Sequence, residues 1–367
     1  MTARLNLERK TSPVHTATSL AEPLKLIIQP YSLETRYYLC ELGFQPVPKV
    51  SQLLYLVIQS HQLSEMFLQI SRVLPATSQS QSRYCITRSP LDSQTLLVEF
   101  LDAQPLSTIT ASVKHAWFLR VLARQRLFFN YQPIFDLRQG HVIAYECLAR
   151  ACNDQGDGCF TGQQLIDGAV SLSLTHEFDE LALTICLKAI ANLGSQKTFF
   201  VNLLPNAIVE NPGFLEQTLQ QVRELALNPR QIMFELTEVE ALLHHQALPE
   251  LIDQIRQLGF GIAVDDLYSN VSIDHYFTEF RPDIIKIDRL LTGGCSQHPL
   301  KQILVKNLLR SAHELGIPVL AEGLEDPVDI QFCREIGVDY GQGYGLARPT
   351  STLQSVSLNW REVLEGV

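Results

Sequence analysis

The chain has 367 residues, 46% of them hydrophobic, which is enough for one large domain with a smaller companion. A formal net charge of −10 argues against a broad basic surface for a nucleic-acid polymer, so any phosphate ligand needs local cations or metal ions. Eight cysteines without a CxxC pair are too dilute for a disulfide scaffold and fit reduced thiols in a cytoplasm.

Residues 1–20 mix Arg4, Glu8, Arg9 and Lys10 with Ser, Thr and Pro, which predicts a flexible polar lead-in without an apolar core of signal-peptide length. No later stretch is apolar over membrane-spanning length, so a cytoplasmic protein without membrane insertion is expected. Residues 21–112 give only short signals. Leu24–Ile28 and Thr95–Leu101 read as strands, Ser51–Leu74 as one or two helices, and the Ser/Gln-rich Thr77–Ser82 as a surface loop. They define a small α+β domain without a chemical motif, expected to regulate or to bind a protein partner.

Val113–Leu127 reads as a helix that opens a different regime over residues 113–367. Eight strands follow: Phe128–Phe135, Val142–Leu148, Thr198–Leu203, Gln231–Leu236, Gly261–Val264, Asp283–Ile287, Ile317–Ala321 and Val338–Gly341. The later ones alternate with the amphipathic segments Phe214–Leu225, Leu248–Leu258, Leu300–Leu315 and Val328–Ile336, as parallel β/α units do. Arg138, Gln139 and Gly140 leave room only for a tight turn, so the first two strands are predicted to be antiparallel. The predicted fold is an α/β, TIM-like (β/α)₈ barrel with one antiparallel strand.

In such barrels chemistry sits at the C-terminal ends of the parallel strands. Those ends carry Glu146 with Arg150, Asn202, Glu235 with Glu238, Asp265 with Asp266, Lys286 with Asp288, Glu322 with Glu325, and Gln342. Carboxylates and amides are hard oxygen donors that suit Mg²⁺ or Mn²⁺, and the absence of His from these positions argues against zinc. Adjacent Asp265 and Asp266 repel one another unless divalent ions neutralise them, and a pair of such ions suits phosphodiester hydrolysis. Each residue alone has a plainer role. A single strand-end carboxylate caps a helix, Asn202 either caps a helix near Pro205 or offers its amide oxygen to a metal, and Lys286 either closes a structural ion pair or positions water and phosphate.

The motifs together resemble the EAL-domain family of cyclic-di-GMP phosphodiesterases. YQPIFD (Tyr131–Asp136), ECLAR (Glu146–Arg150), VNLLP (Val201–Pro205), ELTE (Glu235–Glu238), VDD (Val264–Asp266), IKID (Ile285–Asp288), AEGLE (Ala321–Glu325) and GQGYGLARP (Gly341–Pro349) occur in the family's order. The resemblance implies two Mg²⁺ or Mn²⁺ ions and cleavage of cyclic-di-GMP to pGpG. It further implies that Glu146, Asn202, Glu235 and Asp265 hold one ion, with Asp265, Asp266 and Glu322 at the second. Lys286 then contacts the attacking water, Glu322 and Glu325 take the places of base and supporting carboxylate, and Gln342 orients water or substrate. Gln132, Leu148 and Arg150 touch the dinucleotide, and Glu238 anchors the loop after the Asp pair. A homodimer through the barrel is also implied.

This chain departs from the family at Leu267, Tyr268, Ser269 and Asn270, where Phe-Gly-Thr-Gly or a near-identical loop is usual. Tyr268 lacks glycine's backbone freedom, so the loop is expected to be rebuilt. That bears on turnover more than on binding, and it leaves a second function: a catalytically impaired cyclic-di-GMP receptor or protein-interaction module. Cys147 replaces a usual Ala, and the segment after Arg150 lacks the family's Trp and His-Pro turn. Cys152 and Cys159, without metal-ligand spacing, read as bystanders.

Overall fold

Alternating apolar residues build two sheets, one in each half of the chain. The computed structural model describes residues 23–59, 62–152, 158–203, 213–236, 248–267 and 281–365. Its backbone separates into two units that part between Ala116 and Trp117.

The first unit contains β1 (Lys25–Gln29), α1 (Leu33–Glu41), β2 (Gln45–Val47), β3 (Val50–Val57), α2 (Leu63–Val73), α3 (Ala76–Gln81), β4 (Arg83–Thr87), α4 (Gln94–Leu101), β5 (Gln104–Pro105) and α5 (Leu106–Lys114). Its sheet is antiparallel, in the order β2-β3-β1-β4-β5. Alternate residues of β1 serve opposite faces: Leu26 and Ile28 pack with Phe67 and Ile70 of α2, whereas Ile27 packs with Leu96 of α4.

Three local expectations change here. The first half of Ser51–Leu74 is a strand, because β3 pairs with both β1 and β2, and only its second half is helical. Thr95–Leu101 is a helix rather than a strand: the Ser93 hydroxyl accepts the Leu96 N–H as an N-cap, and Leu96 alone of the helix is buried. A short apolar run fits both templates, and the cap decides. The expected loop at Thr77–Ser82 is largely α3, which Pro75 introduces and whose Gln79 amide donates to the Leu74 carbonyl at 2.7 Å.

The second unit is a closed barrel. After α6 (Ala116–Arg124), its strands are β6 (Leu127–Asp136), β7 (Val142–Cys152), β9 (Thr198–Leu203), β10 (Ile232–Leu236), β11 (Gly261–Leu267), β12 (Ile284–Ile287), β13 (Val319–Ala321) and β14 (Tyr340–Gly341). The order β6-β14-β13-β12-β11-β10-β9-β7 closes through β6–β7 pairing, and β6 is antiparallel to both neighbours. The short β8 (Cys159–Phe160) adds to the open side of β7's end. The tight turn between β6 and β7 uses Gly140 at φ 77°, whose N–H donates to the Asp136 carbonyl at 2.7 Å. Described helices on the outside include α7 (Gly162–Ser171), α8 (Thr175–Leu193), α9 (Phe214–Glu224), α10 (Leu248–Gln257), α11 (Arg289–Thr292), α12 (Pro299–Glu314) and α13 (Pro327–Ile336). No helix among the described residues is long and apolar enough to cross a membrane.

Side chains fill the barrel in layers. Ile134, Ala144, Phe200, Ala263, Ile284 and Leu320 form one buried apolar cluster, with Met233 and Tyr340 packed against it. Their strand neighbours Ile285, Ile287, Val201 and Phe234 belong instead to the core shared with the outer helices. One pleat repeat further toward the mouth, two residues along each strand, the same eight strands present Gln132, Glu146, Asn202, Glu235, Asp265, Lys286, Glu322 and Gln342. On the reversed strand β6 that step runs backwards in number, from Ile134 to Gln132. An apolar plug thus lies beneath a wholly polar layer.

The rim after β13 is laced to the chain after β14. Leu324 N–H donates to the Gln342 carbonyl at 3.0 Å, and Gly345 N–H to the Leu324 carbonyl at 2.9 Å. A Cβ on Gly343 would run into the Leu324 backbone, which has no flexible end to move aside. Gly343→Ala is therefore expected to lower unfolding stability by at least about 2 kcal/mol in a urea titration. A loss below about 0.5 kcal/mol, the range of ordinary surface changes, would mean that the two segments are not held against each other.

Candidate functional site

The polar layer converges on Lys286. Its Nζ lies 2.6 Å from Glu235 Oε1, 2.6 Å from Glu322 Oε1 and 3.2 Å from Asp265 Oδ1, and the lysine side chain is fully buried. The strand register explains the meeting, since Glu235 on β10 aligns with Asn202 on β9 and Ala263 on β11, and Lys286 on β12 aligns with Leu320 on β13. Asn202 donates its amide to Glu235 Oε2 at 3.2 Å, and Gln342 donates to Glu146 Oε2. Gln132 aligns with Glu146 across β6–β7, and its amide faces the Ala347 carbonyl at 3.4 Å.

Burial sets the electrostatics. Desolvation pushes the Glu235 carboxyl well above the usual carboxylate range, against the pull of Lys286, and the charges of Glu146 and Asp265 add to the rise. Glu322 is pushed up to about 8, again by desolvation first and against the pull of Lys286. Burial alone disfavours the lysine's charge, but Asp265, Glu235, Glu322 and Glu146 together hold its pKa well above the ordinary value. The site therefore keeps one ammonium among carboxyl groups that share protons.

The pairs of Lys286 with Glu235 and Glu322 are short, buried charge contacts. Gln342 Oε1 is buried without a hydrogen-bond partner among the described residues, and a buried acceptor left unpaired is costly and suits a ligand donor or a cation. Among the described residues no three His, Cys, Asp or Glu side chains are gathered around one point in metal-holding geometry. The Lys286 ammonium stands where three carboxylates converge. The donor chemistry fits a hard divalent cation: every candidate is a carboxylate or amide oxygen. The side chain of Asp266, expected at a second ion, lies outside the described residues, as do Glu238, Pro205 and Tyr268–Asn270 of the altered loop.

Other predicted residues fall beside this centre. Arg150 is half-buried two residues from the end of β7 and donates to the Ala149 carbonyl at 2.8 Å. Glu325 is exposed and pairs with Arg289 at 3.2 Å rather than with Lys286. Cys147 belongs to the core shared with the outer helices, where burial first, and then its hydrogen bond with Cys186, push the thiol well up. Leu148 lines a cavity of ≈ 260 Å³ that reaches Glu146 and Asn202 and is otherwise walled by Phe129, Phe178, Ile166, Gln163 and Asp179. Gln163, Ile166, Phe178 and Asp179 lie on α7 and α8, which sequence reasoning passed over. No local signal marks them: Gln163 and Ile166 are exposed on their helix, and Asp179 follows the buried Phe178.

A charge balance this tight is testable without any ligand. Glu235 and Glu322 gain pKa on folding, so the barrel is favoured most below the unfolded carboxylate value and loses stability as pH climbs toward about 8. Lys286→Met removes the buried counter-ion and is expected to cost about 3–5 kcal/mol near pH 8. The cost should be clearly smaller near pH 5, roughly where the carboxyls keep their protons. Urea denaturation at both pH values reads this, and an equal loss at both would contradict the proposed coupling.

Comparison with known proteins follows the same boundaries. Residues 115–349 match the family model described as EAL domain. The chain is 26% identical over 215 residues to the blue light- and temperature-regulated antirepressor BluF of Escherichia coli K12, a match covering 59% of this chain and 52% of BluF. It is 27% identical over 240 residues to the cyclic di-GMP phosphodiesterase PdeB of Shewanella oneidensis, covering 64% of this chain and 28% of PdeB. The chain thus spans about half or less of the length of these relatives. Among solved structures, the cyclic-di-GMP-bound form of a standalone EAL protein from Vibrio cholerae O395 superposes with a TM-score of 0.55 at 27% identity, covering 64% of this chain and 98% of that one. With its reversed first strand, its strand-end carboxylates and a family match across the whole barrel, the chain belongs to the EAL domain family.

Proposed function

We propose that the barrel hydrolyses cyclic-di-GMP to linear pGpG, adding one water across one phosphodiester bond. The observation that carries this is the polar layer itself: Glu235, Asp265 and Glu322 converge on the buried Lys286, Asn202 and Gln342 bond to the neighbouring Glu235 and Glu146, and an apolar cavity reaches Glu146 and Asn202. A barrel has no structural need for a buried lysine among so many carboxyl groups at its mouth.

In this reading Glu146, Asn202, Glu235 and Asp265 would hold one Mg²⁺ or Mn²⁺, and Asp265, Asp266 and Glu322 would hold a second. The ions would supply neutralising charge and a lowered pKa for the attacking water. The protein's own groups do the rest. Lys286 would position that water through its ammonium, and Glu322, where the family pattern places the base, would accept a proton at its carboxylate. Gln342, whose amide already leans on Glu146, orients water or substrate. Glu325, placed by the family pattern as the supporting carboxylate, acts from the rim where it pairs with Arg289. Arg150 takes a phosphate, Gln132 and Leu148 border the dinucleotide, and Glu238 anchors the loop that follows the Asp pair. A guanine base suits the cavity: Phe129 and Phe178 give aromatic walls, and the Asp179 carboxylate matches the base's N–H donors.

A second reading is a cyclic-di-GMP receptor or protein-interaction module with little turnover. It is favoured by the altered Leu267–Asn270 loop and by the similarity to a protein named as an antirepressor. The first unit, which carries none of the motifs, would then engage a protein partner, and dimerisation through the barrel belongs to either reading.

Purified chain incubated with cyclic-di-GMP and Mn²⁺ or Mg²⁺ is expected to yield pGpG, with no product in chelator or in Glu146→Ala. Asp179→Ala is expected to raise KM about tenfold or more with kcat little changed, since the carboxylate lines the base cavity away from the polar centre. Saturable binding without product over long incubation would support the receptor reading, and neither binding nor product would defeat both.

A further inference from the structure

Cys152 and Cys159 are Cα partners on the last rung between β7 and β8, and their sulfurs lie 3.7 Å apart. Both side chains are exposed. The pair closes the rung next to Ala151–Phe160, and the Phe160 ring is stacked on Trp117 with centroids 3.7 Å apart, which fixes β8 from its other side. Cα partners on neighbouring strands fall within the span that a disulfide requires, and the sulfurs need to close by only about 1.7 Å to reach bonding distance. The other hydrogen-bonded thiol pairs, Cys147 with Cys186 and Cys295 with Cys333, are buried in the layer between barrel and helices, whereas Cys152 and Cys159 are both exposed.

We propose that Cys152 and Cys159 are a reversible dithiol–disulfide site at the strand end that carries Arg150. The oxidant class is a peroxide. One thiolate attacks the peroxide oxygen, the O–O bond breaks, and a sulfenic acid forms with release of water. The second thiol then attacks that sulfur, the S–O bond breaks, the S–S bond forms and a second water leaves. Two thiols lose two hydrogens in all, and an external dithiol restores them. Both cysteines are free thiols, and the Cys152 thiol is held above its usual range by the hydrogen bond with Cys159 while Arg126 pulls the other way.

The bridge ties β7 to β8 at the end where only two rungs hold them, two residues beyond Arg150. Resting on the cyclic-di-GMP reading above, this pre-orders the guanidinium for a phosphate and tightens dinucleotide binding. The Kd of the oxidised chain is expected to fall about threefold relative to the reduced chain.

The test treats the full chain with hydrogen peroxide, alkylates free thiols and maps peptides without reduction. A Cys152–Cys159 cross-linked peptide, two hydrogens lighter and lost on adding dithiothreitol, is the expected product. In Cys152→Ser, Cys159 is expected to stop at a sulfenic acid that dimedone traps. Cys152 and Cys159 both recovered as alkylated thiols, each driven separately to sulfinic acid, or joined to other cysteines would overturn the site. Cyclic-di-GMP titrations of the oxidised and reduced chain decide the consequence: an unchanged Kd would overturn the coupling to Arg150. Absence of dinucleotide binding in both states would count against the functional reading and leave the peptide map to decide the thiol pair by itself.

Discussion

One lysine ammonium enclosed by carboxylates governs this barrel. Lys286 is fully buried, and three carboxylate oxygens stand within 3.2 Å of it. With Glu146 close by, one cation faces four acidic groups, and the deficit must be met by protons or by further cations. The raised carboxyl pKa values are the proton solution. Divalent ions are the other, since carboxylate and amide oxygens are hard donors.

The layer beneath makes this arrangement tolerable. Side chains from the same strands pack a dry apolar plug one pleat lower, so the charged layer has a rigid floor and only its upper side meets water. The glycine-rich segment after β14 lies against the Leu324 backbone and holds the rim that bears Glu322. Rigidity from packing below and backbone hydrogen bonding beside lets a strained charge balance persist at the mouth.

Much of the barrel was legible because period-two strands ending in acidic or amide residues carry both fold and chemistry in one pattern. Lys286, flanked by Ile285 and Ile287, had to face opposite to its neighbours, and Ile284 two residues back lies in the plug. The three-residue Arg138–Gly140 link likewise dictated the antiparallel pair. Other features depend on tertiary pairing that no local pattern encodes. The Ser93 cap turned Thr95–Leu101 into a helix, β3's partners turned Ser51 onward into a strand, and the cavity wall from α7 and α8 arises only when both helices lie over β7 and β9. Cys152 and Cys159 looked like bystanders because their partnership depends on β8, a strand of two residues. Glu325 shows the limit of motif transfer, since the motif specifies its place in the chain but not its contact with Arg289.

The account stands or falls on what occupies the centre of the polar layer when a divalent ion and the dinucleotide are supplied. Anomalous scattering from crystals grown with Mn²⁺ and cyclic-di-GMP measures this directly. The account predicts manganese peaks held by Glu146, Asn202, Glu235 and Asp265, with the Lys286 ammonium drawn away from at least one of its present carboxylate partners. Bound dinucleotide with no manganese peak, and Lys286 still seated among Glu235, Asp265 and Glu322, would contradict it.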